Sequence, residues 1–221
     1  MTVLDRLSSA LGRRDERPNQ ALAREIVQHS NREAVAELVQ ALGDSDRRIK
    51  SDCIKVLYEV GKDSPSLIAG YCNAFGELLD SKHNRLVWGA MIALDTIAEE
   101  NPRAVSALIA KIVAVANEGS VITRDHAVGI LAKLGDMKPY AEKCVPLLIE
   151  QLRESPDNQF PMYAELSAQI RNEAHRAVLR RTIQVRLKTL KKESQQRRVL
   201  KVLRQLEAGA AVPVPTAKRK G

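Results

Sequence analysis

Apolar residues along this chain recur at spacings of three and four, and three blocks, residues 38–65, 75–102 and 112–139, match one another column by column. Leu57, Leu94 and Leu131 share one column, Val60, Ile97 and Leu134 a second, and Cys53, Ala90 and Ala127 a third. A period near 3.6 puts these columns on one face of a helix, and the small residue marks where a neighbouring helix comes close. Pro65, Pro102 and Pro139 close the blocks at a spacing of 37 residues. An apolar stripe repeated at fixed distance predicts stacked units that bury a continuous core.

Punctuation divides each block into two helices. Gly61 and Gly135 stand where a helix is expected to end in the left-handed conformation, and Ser64-Pro65 and Asn101-Pro102 read as an N-cap followed by proline at the first helical position. Ser30 with Glu33 offers a capping box for the first unit. Polar breaks at Gly43-Asp44-Ser45, Asp80-Ser81-Lys82 and Asn117-Glu118-Gly119-Ser120 supply the turns. The prediction is one helical hairpin per unit.

Outside the three blocks the pattern weakens. Leu4, Leu7 and Leu11, then Leu22 with Ile26 after Pro18, predict an N-terminal capping hairpin within residues 1–30. Residues 141–175 keep Leu147, Ile149, Leu152 and Ala164, but Pro156 and Pro161 interrupt them and Arg153 and Arg171 fall in apolar columns, so this unit reads as degenerate or as a cap. From residue 171 to 207 the sequence departs from the repeat altogether. Leu179, Ile183, Leu187 and Leu190 share a helical face opposite Arg181, Lys188 and Lys192. After a break at Glu193-Ser194-Gln195-Gln196, Val199, Leu203 and Leu206 lie opposite Arg197, Lys201 and Arg204.

A helical hairpin returning every 37 residues resembles the HEAT and armadillo-like repeat family, most closely over residues 31–140. The family's polar ladder, an acidic turn residue followed six positions later by a basic one, is matched by Asp44 to Lys50 and Glu118 to Arg124; the middle unit has Ser81 and Val87 there. The resemblance implies an all-α fold, a right-handed α-α superhelix of the HEAT-like solenoid kind ending in basic helices. The expected organisation is capping helices at 1–30, HEAT-like repeats at 31–175, basic amphipathic helices at 176–207 and a disordered basic tail at 208–221.

Composition agrees with close-packed helices: 44% of residues are hydrophobic, and only seven are aromatic (two Phe, one Trp, four Tyr). Charge is split sharply. Residues 1–170 carry 20 Lys/Arg against 24 Asp/Glu, whereas residues 171–221 carry 15 against 3, so the basicity reads as C-terminal. Cys53, Cys72 and Cys144 are too scattered for metal pairs and read as reduced, buried thiols. With neither a secretory leader nor an apolar run of membrane-spanning length, a cytoplasmic location is the expectation.

Catalytic patterns are absent. His29, His83, His126 and His175 are dispersed and make no His-Glu pair of the kind used by HEAT-like iron hydroxylases, so no metal is expected. Ser120 with Asp125-His126 lacks a nucleophile elbow, and single glycines make no phosphate loop, so no cofactor or small-molecule substrate is expected. A HEAT-like DNA glycosylase would cast Trp88 as a base-stacking residue and Asp125 as its carboxylate, but seven aromatics make a poor stacking site. The reading is therefore a non-enzymatic scaffold that binds another protein. Its surface is expected on the outward columns of the second helices, at Arg48, Lys55, Arg85, Trp88, Ile92 and Lys133, with Gly89 and Gly129 lowering the surface round Trp88. Arg181, Lys188, Lys192, Arg197, Lys201 and Arg204 are expected to meet an acidic partner: a protein, a nucleic acid or an anionic membrane surface.

Overall fold

The computed structural model describes residues 2–208. They form twelve α-helices joined by short turns, with no strand among the described residues. The chain divides into two compact units, Met1–Ala127 and Val128–Gly221.

The first unit holds α1 (Arg17–His29), α2 (Arg32–Gln40), α3 (Arg47–Asp63), α4 (Cys72–Leu78), α5 (Asn84–Ile97), α6 (Pro102–Ala107) and α7 (Ile109–Glu118), and α8 (Val121–Asp136) begins in it. α2 pairs with α3 and α4 with α5, each pair being one predicted hairpin, while α1, α3 and α5 pack successively as second helices. The three aligned columns explain this. All nine of their residues, Leu57, Leu94 and Leu131 included, are completely buried. A repeated stripe buries itself only by stacking on its neighbour.

Several local expectations resolve differently. Gly61 and Gly135 lie inside α3 and α8 and do not end them. They mark close approach: a Cβ on Gly61 would run into Thr96 Oγ1 and come within 2.6 Å of Ile68 Cδ1, and one on Gly135 would sit 3.2 Å from Ile170 and Val145. Ser30 is the left-handed residue closing α1, at φ 49°, and Asn31 caps α2 by accepting from the Ala34 amide. Asn31 rather than Ser30 is thus the N-cap, and with Ala34 at the third helical position no capping box forms. Asn101 caps α6 as expected, but Ser64 makes no side-chain cap and Pro65 opens only a short 3₁₀ turn, Pro65–Leu67. At the N-terminus Leu4–Arg6 forms another 3₁₀ turn where a helix was expected; Leu7 is buried and Leu11 exposed.

The second unit holds the rest of α8 and α9 (Lys138–Glu154), α10 (Phe160–Ser167), α11 (Glu173–Leu187) and α12 (Glu193–Glu207). The interrupted unit is a complete hairpin, because Pro161 sits in the first turn of α10, where a proline removes no helical bond. Leu148, one residue beyond the expected Leu147, is its buried position. The basic helices correct the expectation further. α11 packs on α9 and α12 on α10, so they repeat the first-on-first, second-on-second stacking and form another hairpin of the array. Leu179, Ile183, Leu190, Val199, Val202 and Leu206 bury their apolar faces. The break falls at residues 188–192, and Glu193 opens α12. The basic tail expected from residue 208 lies, apart from Ala208, outside the described residues.

Candidate interaction surfaces

Within the first unit, the outward stripes of α3 and α5 meet the segment leading into α1 in one connected network. Lys55 Nζ donates to Glu59 Oε1 at 2.9 Å and pairs with Glu16 Oε2 at 2.8 Å, and Glu16 Oε1 accepts from Arg85 Nη2 at 2.5 Å. Lys62 Nζ donates to the same Glu59 oxygen at 3.0 Å. Lys55 and Lys62 each place an ammonium 4.9 Å from the centre of the Tyr58 ring, and Arg85 lies 5.9 Å from that of Trp88. The Tyr58 and Trp88 rings are 6.1 Å apart and tilted by 53°, a geometry favourable for aromatic pairs.

Protonation follows from these contacts. Burial alone would raise Glu16 and Glu59, but their bonds to Lys55 and to Arg85 or Lys62 outweigh it and hold both below the usual carboxylate range. Burial likewise opposes the charge on Lys55, yet its bonds to Glu16, Tyr58 and Glu59 hold it well above the usual lysine value. All three cysteines are buried thiols outside any disulfide; burial pushes Cys53 up to about 12 and Cys72 and Cys144 up to about 11. They stay protonated and are poor nucleophiles. Among the described residues no helix is long and apolar enough to cross a membrane, and no three His, Cys, Asp or Glu side chains gather to hold a metal ion.

The expected surface residues therefore divide. Arg48 and Arg85 are exposed, and Trp88 is half-buried, presenting one side while Tyr58 supports it. Lys55 is 6% exposed and Ile92 7% exposed, so both serve the packing beneath the surface. Gly89 does not lower an outer surface either; it faces α3, where a Cβ would lie 2.9 Å from Ile54. Lys133 is half-buried on α8, in the second unit. The sequence reading missed Tyr58, Glu16 and Glu59, which complete the network.

In the second unit, the basic residues separate into two sets. Arg171 binds Asp136 and Arg198 holds both oxygens of Glu165. Arg176, 5% exposed, donates to the carbonyls of Gln205 and Leu206 at the end of α12, while Arg186 donates to the Ser155 carbonyl at 2.7 Å above the Phe160 ring. These four are structural. By contrast Arg181, Lys188, Lys192, Arg197, Lys201 and Arg204 are all exposed, and among the described residues only Arg197 has an ion pair, with Glu193 at 3.0 Å. The valines at 178 and 185 and Leu200 are exposed among them.

Comparison with known proteins identifies the architecture. No family model and no curated protein sequence matches the chain. Solved structures do. A computationally designed armadillo repeat protein for modular peptide recognition aligns with a TM-score of 0.64 at 16% identity, covering 92% of this chain and 98% of that one. A designed armadillo repeat protein in complex with the peptide (KR)4 aligns at 0.63 and 14%, over 92% and 98%. An engineered protein of a structural genomics programme aligns at 0.61 and 17%, over 95% and 98%. At such identities the likeness concerns the fold.

Proposed function

Starting from a HEAT/armadillo-like helical-repeat solenoid, a fold built for binding surfaces rather than enclosed catalytic sites, we propose that the chain is a non-enzymatic scaffold that takes a protein segment on the second-helix surface of its first unit. The observation that carries this reading is the Trp88–Tyr58 pair with Arg85 beside it, ringed by ion pairs that are already satisfied. Trp, Tyr and Arg are the residues that dominate binding energy when a partner covers them, and a rim of paired charges excludes water at little desolvation cost. Similar solved structures recognise peptides, which favours a peptide-like segment as the first class to test.

Selection of a displayed peptide library on the full chain, with counter-screening, tests the proposal. Trp88→Ala and Arg85→Ala are each expected to weaken selected peptides about tenfold or more. Equal binding to both variants would remove this surface from the account. Release of bases from alkylated DNA, abolished by Asp125→Asn, would replace the scaffold reading with an enzymatic one.

A second surface is supported by the six exposed cations on α11 and α12. We propose that this face meets an acidic partner, with nucleic acid the quickest case to examine. Six phosphate contacts on duplex DNA give a log-log salt slope of about −5, and replacing Arg181, Lys188 and Lys192 by alanine should flatten it by about three. Absence of salt-sensitive binding to DNA, RNA and anionic vesicles would leave an acidic protein as the partner.

A further inference from the structure

An open cleft of roughly 690 Å³ lies in the first unit beside the Trp88 surface, walled by the segment before α1, the first turn of α3 and the turn into α5. Its lining carries six cations, Arg13, Arg14, Arg47, Arg48, Lys82 and Arg85, against three carboxylates. Those carboxylates are occupied. Asp15 accepts from Arg13 Nε at 2.9 Å and the Arg17 amide at 3.0 Å, Glu16 holds Lys55 and Arg85, and Asp52 accepts from the Ser9 amide and Asn19 Nδ2, both at 2.8 Å. Arg14 and Lys82 have neither an ion pair nor a side-chain hydrogen bond among the described residues. Arg47 Nη2 lies 2.7 Å from His83 Nδ1, and an imidazole brings no negative charge to neutralise the guanidinium.

The end of α5 that opens on this cleft is also prepared for an anion. His83 supplies no side-chain cap, and the first turn contains Arg85 but no acidic residue. That is the reverse of what the helix dipole favours, since the positive end is stabilised by negative charge. Independently, the Ser8 and Ser9 hydroxyls on the cleft wall are buried without a hydrogen-bond partner, and Ser8 is only 4% exposed. Uncommitted guanidinium and ammonium donors and an uncapped helix start thus meet in one concave site, whose wall holds two buried hydroxyls without a partner.

We propose that this cleft binds a phosphomonoester, carried either by a phosphorylated side chain of a protein partner or by a small phosphate ester. A phosphomonoester has a charge of about −1.5 to −2 and three acceptor oxygens, which suits a surplus of three positive charges and several donors better than a carboxylate with one charge and two oxygens. Nothing in the Trp88 reading requires this, and the residues that distinguish it, Arg14, Arg47 and Lys82, are not part of that surface.

The test is calorimetric titration of the full chain with inorganic phosphate, phenyl phosphate, and a degenerate peptide library centred on phosphoserine alongside its serine counterpart. The phosphoserine library should bind at least tenfold more tightly than the serine library, and the Arg14→Ala/Lys82→Ala double variant should weaken it at least tenfold. Both residues are exposed, so the variant keeps its fold, checked by circular dichroism. An Arg24→Ala/Arg103→Ala control, at two exposed arginines outside the cleft and outside both proposed surfaces, should bind as the parent does. Phenyl phosphate binding within a few-fold of the phosphoserine library supports a small ester as the ligand, and much weaker binding supports a phosphorylated protein. Equal affinity for both libraries, an unchanged double variant, or an equal loss in the control overturns the proposal.

Discussion

The second-helix surface around Trp88 and the outer face of α11 and α12 are both rich in charge, yet they use it in opposite ways. Around Trp88 the charges close on one another: Lys62, Glu59, Lys55, Glu16 and Arg85 form a continuous chain of ion pairs that presses on two aromatic rings. On α11 and α12 the cations at 181, 188, 192, 201 and 204 reach solvent unpaired among the described residues. Satisfied charges frame an anchor for a partner that brings apolar surface; unsatisfied ones attract a partner that brings opposite charge. Net charge conceals the difference. The N-terminal 170 residues are acidic in sum, yet they contain the cation-lined cleft, while four arginines of the basic C-terminal part are bonded within the fold.

The largest expected effect concerns the core beneath the Trp88 surface. Leu94→Ala empties a completely buried column position in α5 and should cost about 2 to 5 kcal/mol, read by chemical denaturation. A loss below about 1 kcal/mol would show that the repeat core does not depend on that column.

Next comes the contrast between bonded and free arginines or lysines. Arg176→Ala removes a buried guanidinium that donates to two carbonyls at the end of α12, and a loss of about 1.5 to 3 kcal/mol is expected. Lys188→Ala, on the exposed face, should stay within about 0.5 kcal/mol of the parent. Equal losses would erase the division between structural and solvated cations.

The smallest effect is the pH response of the Trp88 network. Glu16 and Glu59 titrate below their ordinary value of 4.5, so their contribution is complete above about pH 4.5 and fades as the pH falls through their folded values. Lys55 titrates above its ordinary 10.5, so its contribution holds below that pH and is lost as the pH rises through its folded value. Thermal unfolding of the parent and Glu16→Gln should differ at pH 7, and the difference should shrink as the pH is lowered below 4.5. A difference that stays constant as the pH is lowered would show that the Gln change acts through packing rather than charge.

The fold was legible wherever it depended on a translated pattern. Leu57, Leu94 and Leu131 announce the stack because each repeat must bury the same face, and an interruption such as Pro161 does not break it when it falls in a first turn. Gly61 was misread because a glycine that ends a helix and a glycine that admits Thr96 look the same in one dimension. The α11–α12 hairpin was set apart because its solvent face changed composition while its buried face kept helical spacing.

The candidate sites were less legible because their partners lie about one repeat apart. Arg198 finds Glu165 33 residues away, Arg171 finds Asp136 35 away and His126 finds Asp95 31 away. The 37-residue period could have exposed part of this, since Arg48 and Arg85 occupy one column. It could not have placed Arg14 and Lys82 on one cleft, because Arg14 lies in the segment before α1, outside the aligned blocks.

The most direct test of the scaffold reading is the emission of Trp88, the only tryptophan in the chain, during titration with a library-selected peptide. The account predicts a saturable change in Trp88 emission whose midpoint matches the calorimetric affinity and is unchanged by Lys188→Ala/Arg204→Ala. Binding that saturates with no change in Trp88 emission would place the partner elsewhere and contradict it.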